Sequence, residues 1–204
     1  MLEQVIQFFF AGGWVMYPLL LMSLVALTLI FERTIFWVLG PQRLGERRMH
    51  HYIAMLAQGR ADDARAESGR DRTHEGLLTH RVLRSDRINE SVLLGQIEAL
   101  RPSIERFAPT LGTIIAAAPL LGILGTVTGI IQSFDLLGEA ASVSDPAVVA
   151  GGIAEALYTT AFGLSVALIT LFPHVYFKSK ADRALGRLET LGGALLDSGS
   201  GRSA

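Results

Sequence analysis

Glu155 is the only acidic residue in an apolar run from 147 to 177 that contains no Lys or Arg, and Thr159 and Thr160 follow it at short range. A second uncharged run, 107–134, carries Thr126 and Thr128. A carboxyl group takes up and releases a proton, and a hydroxyl both donates and accepts hydrogen bonds, so these types together can carry a proton or water chain. An ionisable residue deep in a bilayer costs about 2.5–3.5 kcal/mol on insertion scales, which makes a functional role its first reading, with a partner to be named. The plainer alternatives are threonines bonded back to their own helix carbonyls and a glutamate making a structural interhelical bond. Hard oxygen ligands of this kind also suit sodium. No second carboxylate stands beside Glu155, so the missing acid of a relay is expected from a partner.

These residues sit on stripes of small side chains. In AAAPLLGILGTVTGIIQSF (116–134), Gly122, Thr126, Gly129 and Ser133 recur at i, i+4, i+7 and i+11, one face of a helix. Gly125 and Gly129 form a GxxxG pair, a pattern that packs membrane helices closely. In the second run Gly152, Ala156, Thr159, Gly163, Ala167 and Thr170 line one side, flanked by Glu155 and Thr160. Such faces suit either close helix packing or a narrow polar lumen. Counted from the intervening loop at 1.5 Å per residue, Glu155 lies roughly 14 Å deep, Thr126 roughly 18 Å and Thr160 roughly 21 Å. An antiparallel hairpin would therefore bring the three to one level, which favours the lumen.

The elements that must position them are membrane helices. Half of the residues are hydrophobic and 18% are charged, the balance of a membrane protein. All 18 Lys and Arg fall at Arg33, within Arg43–Arg106, or from Lys178 onward. Eighteen uncharged residues run from Trp14 to Phe31, enough to cross most of a hydrocarbon core of about 30 Å. Trp14 and Tyr17 read as one interfacial belt and Phe36 and Trp37 as the other, with Glu32–Arg33 as a snorkelling, mutually neutralising boundary. The expected fold is all-α, with transmembrane helices over 14–39, 107–137 and 147–177. Pro146 opens the third, capped by Ser144 or Asp145. The positive-inside rule places residues 1–13 and the 138–146 loop outside, and the 40–106 domain and the 178–204 tail in the cytoplasm.

Residues 40–106 hold 12 Arg and 10 acidic residues. Helical spacing over 49–57, 75–83 and 88–107 reads as helices extending those of the membrane, with 59–72 a charged helix or turn. The tail is expected to be helical to Leu196, with DSGSGRSA irregular. His50, His51, His74 and His80 match no ligand spacing, so no metal is expected. No cysteine is present, and GILGTVTG lies inside an apolar helix, so neither thiol chemistry nor a phosphate loop is indicated. The N-terminus has no basic n-region and does not read as a cleaved signal peptide. Neither an enzyme nor a nucleic-acid partner is expected.

APLLGILGTVTGIIQSF (118–134) followed by AGGIAEALYTTAFGL (150–164) resembles the ExbB/TolQ/MotA family of ion-driven motor subunits. GGWVMYPLLLMSLVALTLIFER (12–33) is similar to the first span of ExbB-type members, and three spans place the likeness in the ExbB/TolQ branch. The chain's start lacks the long extension of some ExbB proteins. The resemblance implies an inner-membrane homo-oligomeric ring, a pentamer, around a single-span ExbD- or TolR-like partner whose membrane Asp carries the proton, with a TonB-like protein carrying the work outward. It implies a proton path over Thr126, Glu155 and Thr160, protons as coupling ion and no other cofactor. A TolQ-like envelope-integrity subunit, another stator subunit, or a non-conducting scaffold in membrane lipid are the alternatives.

Overall fold

The computed structural model describes residue 9 and residues 12–85, 87–139 and 146–200, with the side chains of 136–139, 146–149, 155 and 200 excepted. Most of the expected N-terminal segment and the loop after Glu139, with the proposed caps Ser144 and Asp145, lie outside the described residues. Among the described residues the α-helices are α1 Met16–Thr34, α2 Gly45–Ala57, α3 Ala61–Ser68, α4 His74–Leu83, α5 Glu90–Ile104, α6 Ala108–Glu139 and α7 Pro146–Ser200. Among the described residues there is no strand. Among the described residues three helical segments are long and apolar enough to cross a membrane. The chain divides into two compact units, the first from residues 1–30 and 109–174, the second from 31–108 and 175–204.

In the first unit α1, α6 and α7 bury narrow faces and leave broad apolar ones exposed. Met16, Leu19 and Ala26 are buried on α1, while Leu20, Leu21 and Leu24 are exposed. Leu111, Ile114, Ala118 and Ser133 are buried on α6, and Ala156, Thr159, Val166, Ala167 and Thr170 on α7. Helices with apolar residues nearly all round belong in lipid or against other apolar helices. Pro119 and Pro173 lie inside α6 and α7, which nevertheless continue; neighbouring helices and hydroxyl side chains can absorb the freed carbonyls.

The second unit is a helical assembly of a different kind. Leu93, Ile97, Leu100 and Ile104 of α5 are buried at spacings of four and three. Phe177, Ala181, Ala184, Leu188, Leu191 and Leu195 of α7 repeat the same rhythm, the seam of a coiled coil. Gly192 meets Leu93 and Gly199 meets Ile88, so the two helices run antiparallel. Thr73 caps α4 by accepting from the Gly76 amide at 3.1 Å, and Asn89 caps α5 through Val92 at 2.9 Å. The charged stretch 59–72 contains helix α3, whose Ala61 and Ala64 are buried.

Three expectations are corrected. Only α7 runs on without a break; α1 closes in a π-helical turn over Ile35–Leu39 and stops at Gly40, whose backbone is extended. Between α5 and α6, Phe107 adopts φ 67°, left-handed geometry that a side chain tolerates only when its surroundings hold it. Helix α7 also continues through Ser200 instead of turning irregular after Leu196. Leu195 is fully buried and Gly199 closely approaches Ile88, so packing overrides the poor helix propensity of Gly and Ser. Lastly, Arg33 does not snorkel. It is 2% exposed, bonds Glu32 through two nitrogens at 2.5 and 2.8 Å, donates to the Ser103 carbonyl at 3.3 Å and lies 4.3 Å from the Phe36 ring centre.

Candidate functional site

The site is built by the close approach of α6 and α7. A β-carbon at Gly122 would lie 2.9 Å from the Thr159 carbonyl oxygen and the Thr160 Cα, and one at Gly163 would lie 2.5 Å from the Ala118 carbonyl oxygen. Gly125 faces the Thr159 side chain, Gly129 faces Ala156, and Gly152 faces Ser133. The pairs 118–163, 122–160, 129–156 and 133–152 run in opposite senses, so α6 and α7 are antiparallel. All six glycine and threonine positions expected at a packing or lumen face, namely Gly122, Gly125, Gly129, Gly152, Thr159 and Gly163, therefore lie where α6 and α7 of one chain meet.

Hydroxyl groups stitch this contact. Thr160 Oγ1 donates to the Gly122 carbonyl at 2.9 Å, and Thr159 Oγ1 lies 3.0 Å from the same oxygen and 2.7 Å from the Ala156 carbonyl. Thr126 Oγ1 donates to the Ile123 carbonyl at 2.7 Å, and Ser133 Oγ to the Gly129 carbonyl at 2.8 Å. Thr128 Oγ1 lies within reach of the Leu124 and Gly125 carbonyls at 3.0 and 3.1 Å. Thr159 is 2% exposed, whereas Thr126 and Thr160 are half-buried and keep a free edge. Their lone pairs remain able to accept a proton or a water hydrogen.

The antiparallel register also sets the heights. Thr126 lies four residues beyond Gly122 on α6, roughly 6 Å along the axis; Glu155 lies five residues before Thr160 on α7, roughly 7.5 Å in the same direction. The backbone positions of Thr126 and Glu155 are thus nearly level, with Thr160 roughly 7.5 Å, about one and a half turns, further along the axis. The Glu155 side chain lies outside the described residues. What sequence spacing did not reveal is the acceptor. The Gly122 carbonyl receives both threonine hydroxyls, a role that belongs to backbone and leaves no signature in residue type.

The second unit contains a polar cluster that the sequence reading did not single out. Glu75, 0% exposed, accepts from Arg187 Nε at 2.7 Å across 112 residues. Beside it His74 bonds Ser103 Oγ through Nε2 at 3.0 Å, and burial together with the Arg187 and Arg33 charges pulls its pKa down to about 4. His51 instead pairs with Glu67 at 2.9 Å, holding that carboxyl below its usual range. No signal short of the fold brings residues 75 and 187 together.

Apolar antiparallel helices threaded by hydroxyls, with broad exposed apolar faces, define a multi-pass membrane protein. Residues 67–190 match the MotA/TolQ/ExbB proton channel family, and the chain belongs to that family. A chain named ExbB-like 1 from Synechocystis sp. is 35% identical over 186 residues, covering 80% of this chain and 66% of the relative. ExbB-like 3 of the same organism is 33% identical over 178 residues, covering 83% and 82%. The Tol-Pal system protein TolQ of Pseudomonas aeruginosa is 34% identical over 108 residues, covering 50% and 46%. The matched region holds both helices of the hairpin; the first span precedes it. The family is described as a channel, not as an enzyme.

Proposed function

We propose that this chain is the ring-forming subunit of an inner-membrane, proton-driven motor of the ExbB kind. The observation that carries the reading is the near-level placement of Glu155 and Thr126, with Thr160 bonded across to Gly122, inside a segment matching a proton channel family. Several copies, five by family expectation, surround a single-span ExbD- or TolR-like partner. Its membrane Asp supplies the acid that this chain lacks beside Glu155. Helices α1, α6 and α7 span the bilayer, with the N-terminus outside and the second unit in the cytoplasm, as the distribution of Lys and Arg supports.

A proton taken from the outer side passes to the partner's carboxylate, with Glu155 as the nearby acid–base group of the ring. To relay a proton, the hydroxyls of Thr126 and Thr160 turn away from the Ile123 and Gly122 carbonyls, accept a proton at a lone pair as they release their own onward, and turn back before the next passage. Each proton moving down the potential releases about 2.3 kcal/mol per 100 mV, and rotation of the partner within the ring transmits that work to a TonB-like protein. No cofactor besides the coupling proton takes part.

Gentle purification from native membranes, followed by native mass measurement, tests the assembly. A ring of this chain holding a small single-span protein with a membrane Asp is expected. Proton uptake by vesicles containing that complex tests the path, and Glu155→Gln, Thr160→Val and Thr126→Ala should each stop it with the ring intact. A ring that assembles without an acidic partner and tolerates Glu155→Gln would make the chain a non-conducting scaffold.

A further inference from the structure

Of the residue types Asp, Glu, His, Lys and Arg, the apolar part of α7 from Pro146 to Phe177 carries only Glu155 and His174. Glu155 belongs to the proposed path. His174 stands at the other end of the same contact with α6: a β-carbon at Gly112 would come within 3.9 Å of its Cε1. The pair 112–174 continues the antiparallel register of 133–152, 129–156, 122–160 and 118–163 toward the start of α6. The imidazole is half-buried, and its Nδ1 atom is buried. Lys178 follows four positions later, so His174 lies about one turn inside the basic end of the apolar run. An ionisable side chain within a span reads as functional first.

The separation of the two ionisable positions matches the membrane. From Glu155 to His174 is roughly 28 Å along α7, close to a hydrocarbon core of about 30 Å. Thr126 and Thr160 lie between them, nearer Glu155, and the remaining interval from Thr160 to His174 is roughly 21 Å. Hydroxyls occupy that interval. A cavity of about 90 Å³ between α1 and α7 is lined by Ser23, Ser165 and Thr170 together with apolar side chains such as Ala26 and Phe162. At about 30 Å³ per molecule it has room for about three waters. Ser165 and Thr170 donate to the Ala161 and Val166 carbonyls at 2.8 and 2.7 Å, which leaves their lone pairs as acceptors. Thr170 precedes His174 by one turn on the same face. Pro173 has no N–H, so the Ile169 carbonyl, which points along the axis toward the turn of His174, loses its helical donor and adds an acceptor at a residue that also lines the cavity.

We propose that His174 is the group that releases protons on the inner side of the channel. This rests on the proton-channel reading of Thr126, Glu155 and Thr160 and supplies the exit which those residues lack. The neutral imidazole takes up one proton arriving through the hydroxyl-lined interval and becomes imidazolium. It then gives one proton to water at the inner surface and returns to the neutral ring, so one proton crosses and no other reactant is consumed. Imidazole suits this task because its charge changes near neutral pH. Within the first unit, α6 presents no Asp, Glu, His, Lys or Arg from Pro109 to Phe134, and α1 presents only Tyr17 as an ionisable group from Met16 to Ile30. On α7 the nearest ionisable groups in sequence are Tyr176 and Lys178. The plainer role for His174 is packing opposite Gly112.

Proton flux through vesicles holding the complete complex, with assembly of each variant checked by native mass, separates the two. His174→Gln keeps a donor and an acceptor without titrating, and should cut flux roughly a hundredfold, the low end of what a positioned acid–base group supplies. His174→Ala should fall as far, and imidazole added on the inner side should restore its flux severalfold while imidazole on the outer side should not. Wild-type flux should follow a single titration of the inner pH that the His174→Gln complex lacks. Full flux in an assembled His174→Gln complex overturns the proposal. So does failure of both variants to assemble, since either result makes His174 a packing residue, and so does a lost flux that inner imidazole leaves unrestored. A wild-type complex that passes no protons overturns the channel reading and this exit together, whereas wild-type and His174→Gln complexes that conduct equally overturn the exit alone.

Discussion

Thr159 and Thr160 of α7 direct their hydroxyl groups at a single backbone oxygen, that of Gly122 on α6, at 3.0 and 2.9 Å. Adjacent residues on a helix normally point about 100° apart, so this convergence requires the Gly122 backbone to enter the groove between them, which its missing side chain permits. The two threonines are not equivalent. Thr159 is sealed in the contact and also reaches Ala156, whereas Thr160 retains an open edge.

On the proposed function, that difference should separate a packing role from a conducting one. Thr159→Val keeps the shape and removes the hydroxyl; it should lower stability by about 1 kcal/mol, the net value of a typical hydrogen bond, with flux per assembled complex unchanged. Thr160→Val should leave the melting temperature nearly as it is and remove most of the proton flux, and Thr160→Ser should restore it. Thermal melting in detergent and vesicle acidification, measured on the same preparations, check both. Equal flux loss in the two valine variants would assign both hydroxyls to packing.

The glycines of α7 should likewise divide by what faces them. A β-carbon at Gly163 meets the Ala118 carbonyl at 2.5 Å, while one at Gly151 meets nothing within 4 Å. Gly163→Val should push the helices apart at about 1–3 kcal/mol, and Gly151→Ala should be neutral or slightly stabilising, by up to about 1 kcal/mol. Unfolding curves of the two variants in a fixed detergent test the contrast.

The contrast also shows what spacing could and could not convey. Apolar runs bounded by Lys and Arg mark the three long helices because burying uncharged backbone in lipid leaves few other solutions. The small-residue stripes of 122–133 and 152–170 were legible as faces of close approach, but the pattern is the same whether the neighbour is the adjoining helix, another copy or a lumen. Only the coordinates place those stripes against each other in one chain. Arg33 illustrates the limit of local reading. A basic residue next to Glu32 at a helix end looks like a boundary, yet the backbone break at Gly40 and the turn at Phe107 put Ser103 and two aromatic rings around it. The Glu75–Arg187 pair had no local sign, since its partners are separated by 112 residues, more than half the chain.

That pair anchors the end of α7 to α4. Arg187 is 20% exposed in its side chain and Glu75 is not exposed at all, so the two single replacements are unequal. Arg187→Met strands a buried carboxylate and should cost about 3–5 kcal/mol, whereas Glu75→Gln frees a guanidinium that can turn to solvent and should cost less. In the double variant much of the Arg187→Met penalty should return, because the stranded charge is gone. A double-mutant cycle by denaturant unfolding measures the coupling, and strictly additive losses would mean that the pair contributes little.

His74 gives the second unit an acid sensitivity whose direction is set by burial. Its folded pKa of about 4 lies below the ordinary value of 6.5, first because desolvation disfavours the imidazolium and then because Arg187 and Arg33 repel it. The unfolded chain therefore binds more protons than the folded one between those values, and stability must fall as the pH falls. The contribution is fully present above pH 6.5, declines through the window, and is lost once the pH has dropped below about 4, with a total on the order of 3 kcal/mol. A His74→Gln variant, which keeps a donor and an acceptor without titrating, should lose this dependence while retaining the Ser103 bond. Melting temperatures of the two chains compared at pH 7.5 and pH 5 read the effect directly: the wild type should drop further than the variant on acidification, and parallel drops would place the acid sensitivity in the carboxylates and not in His74.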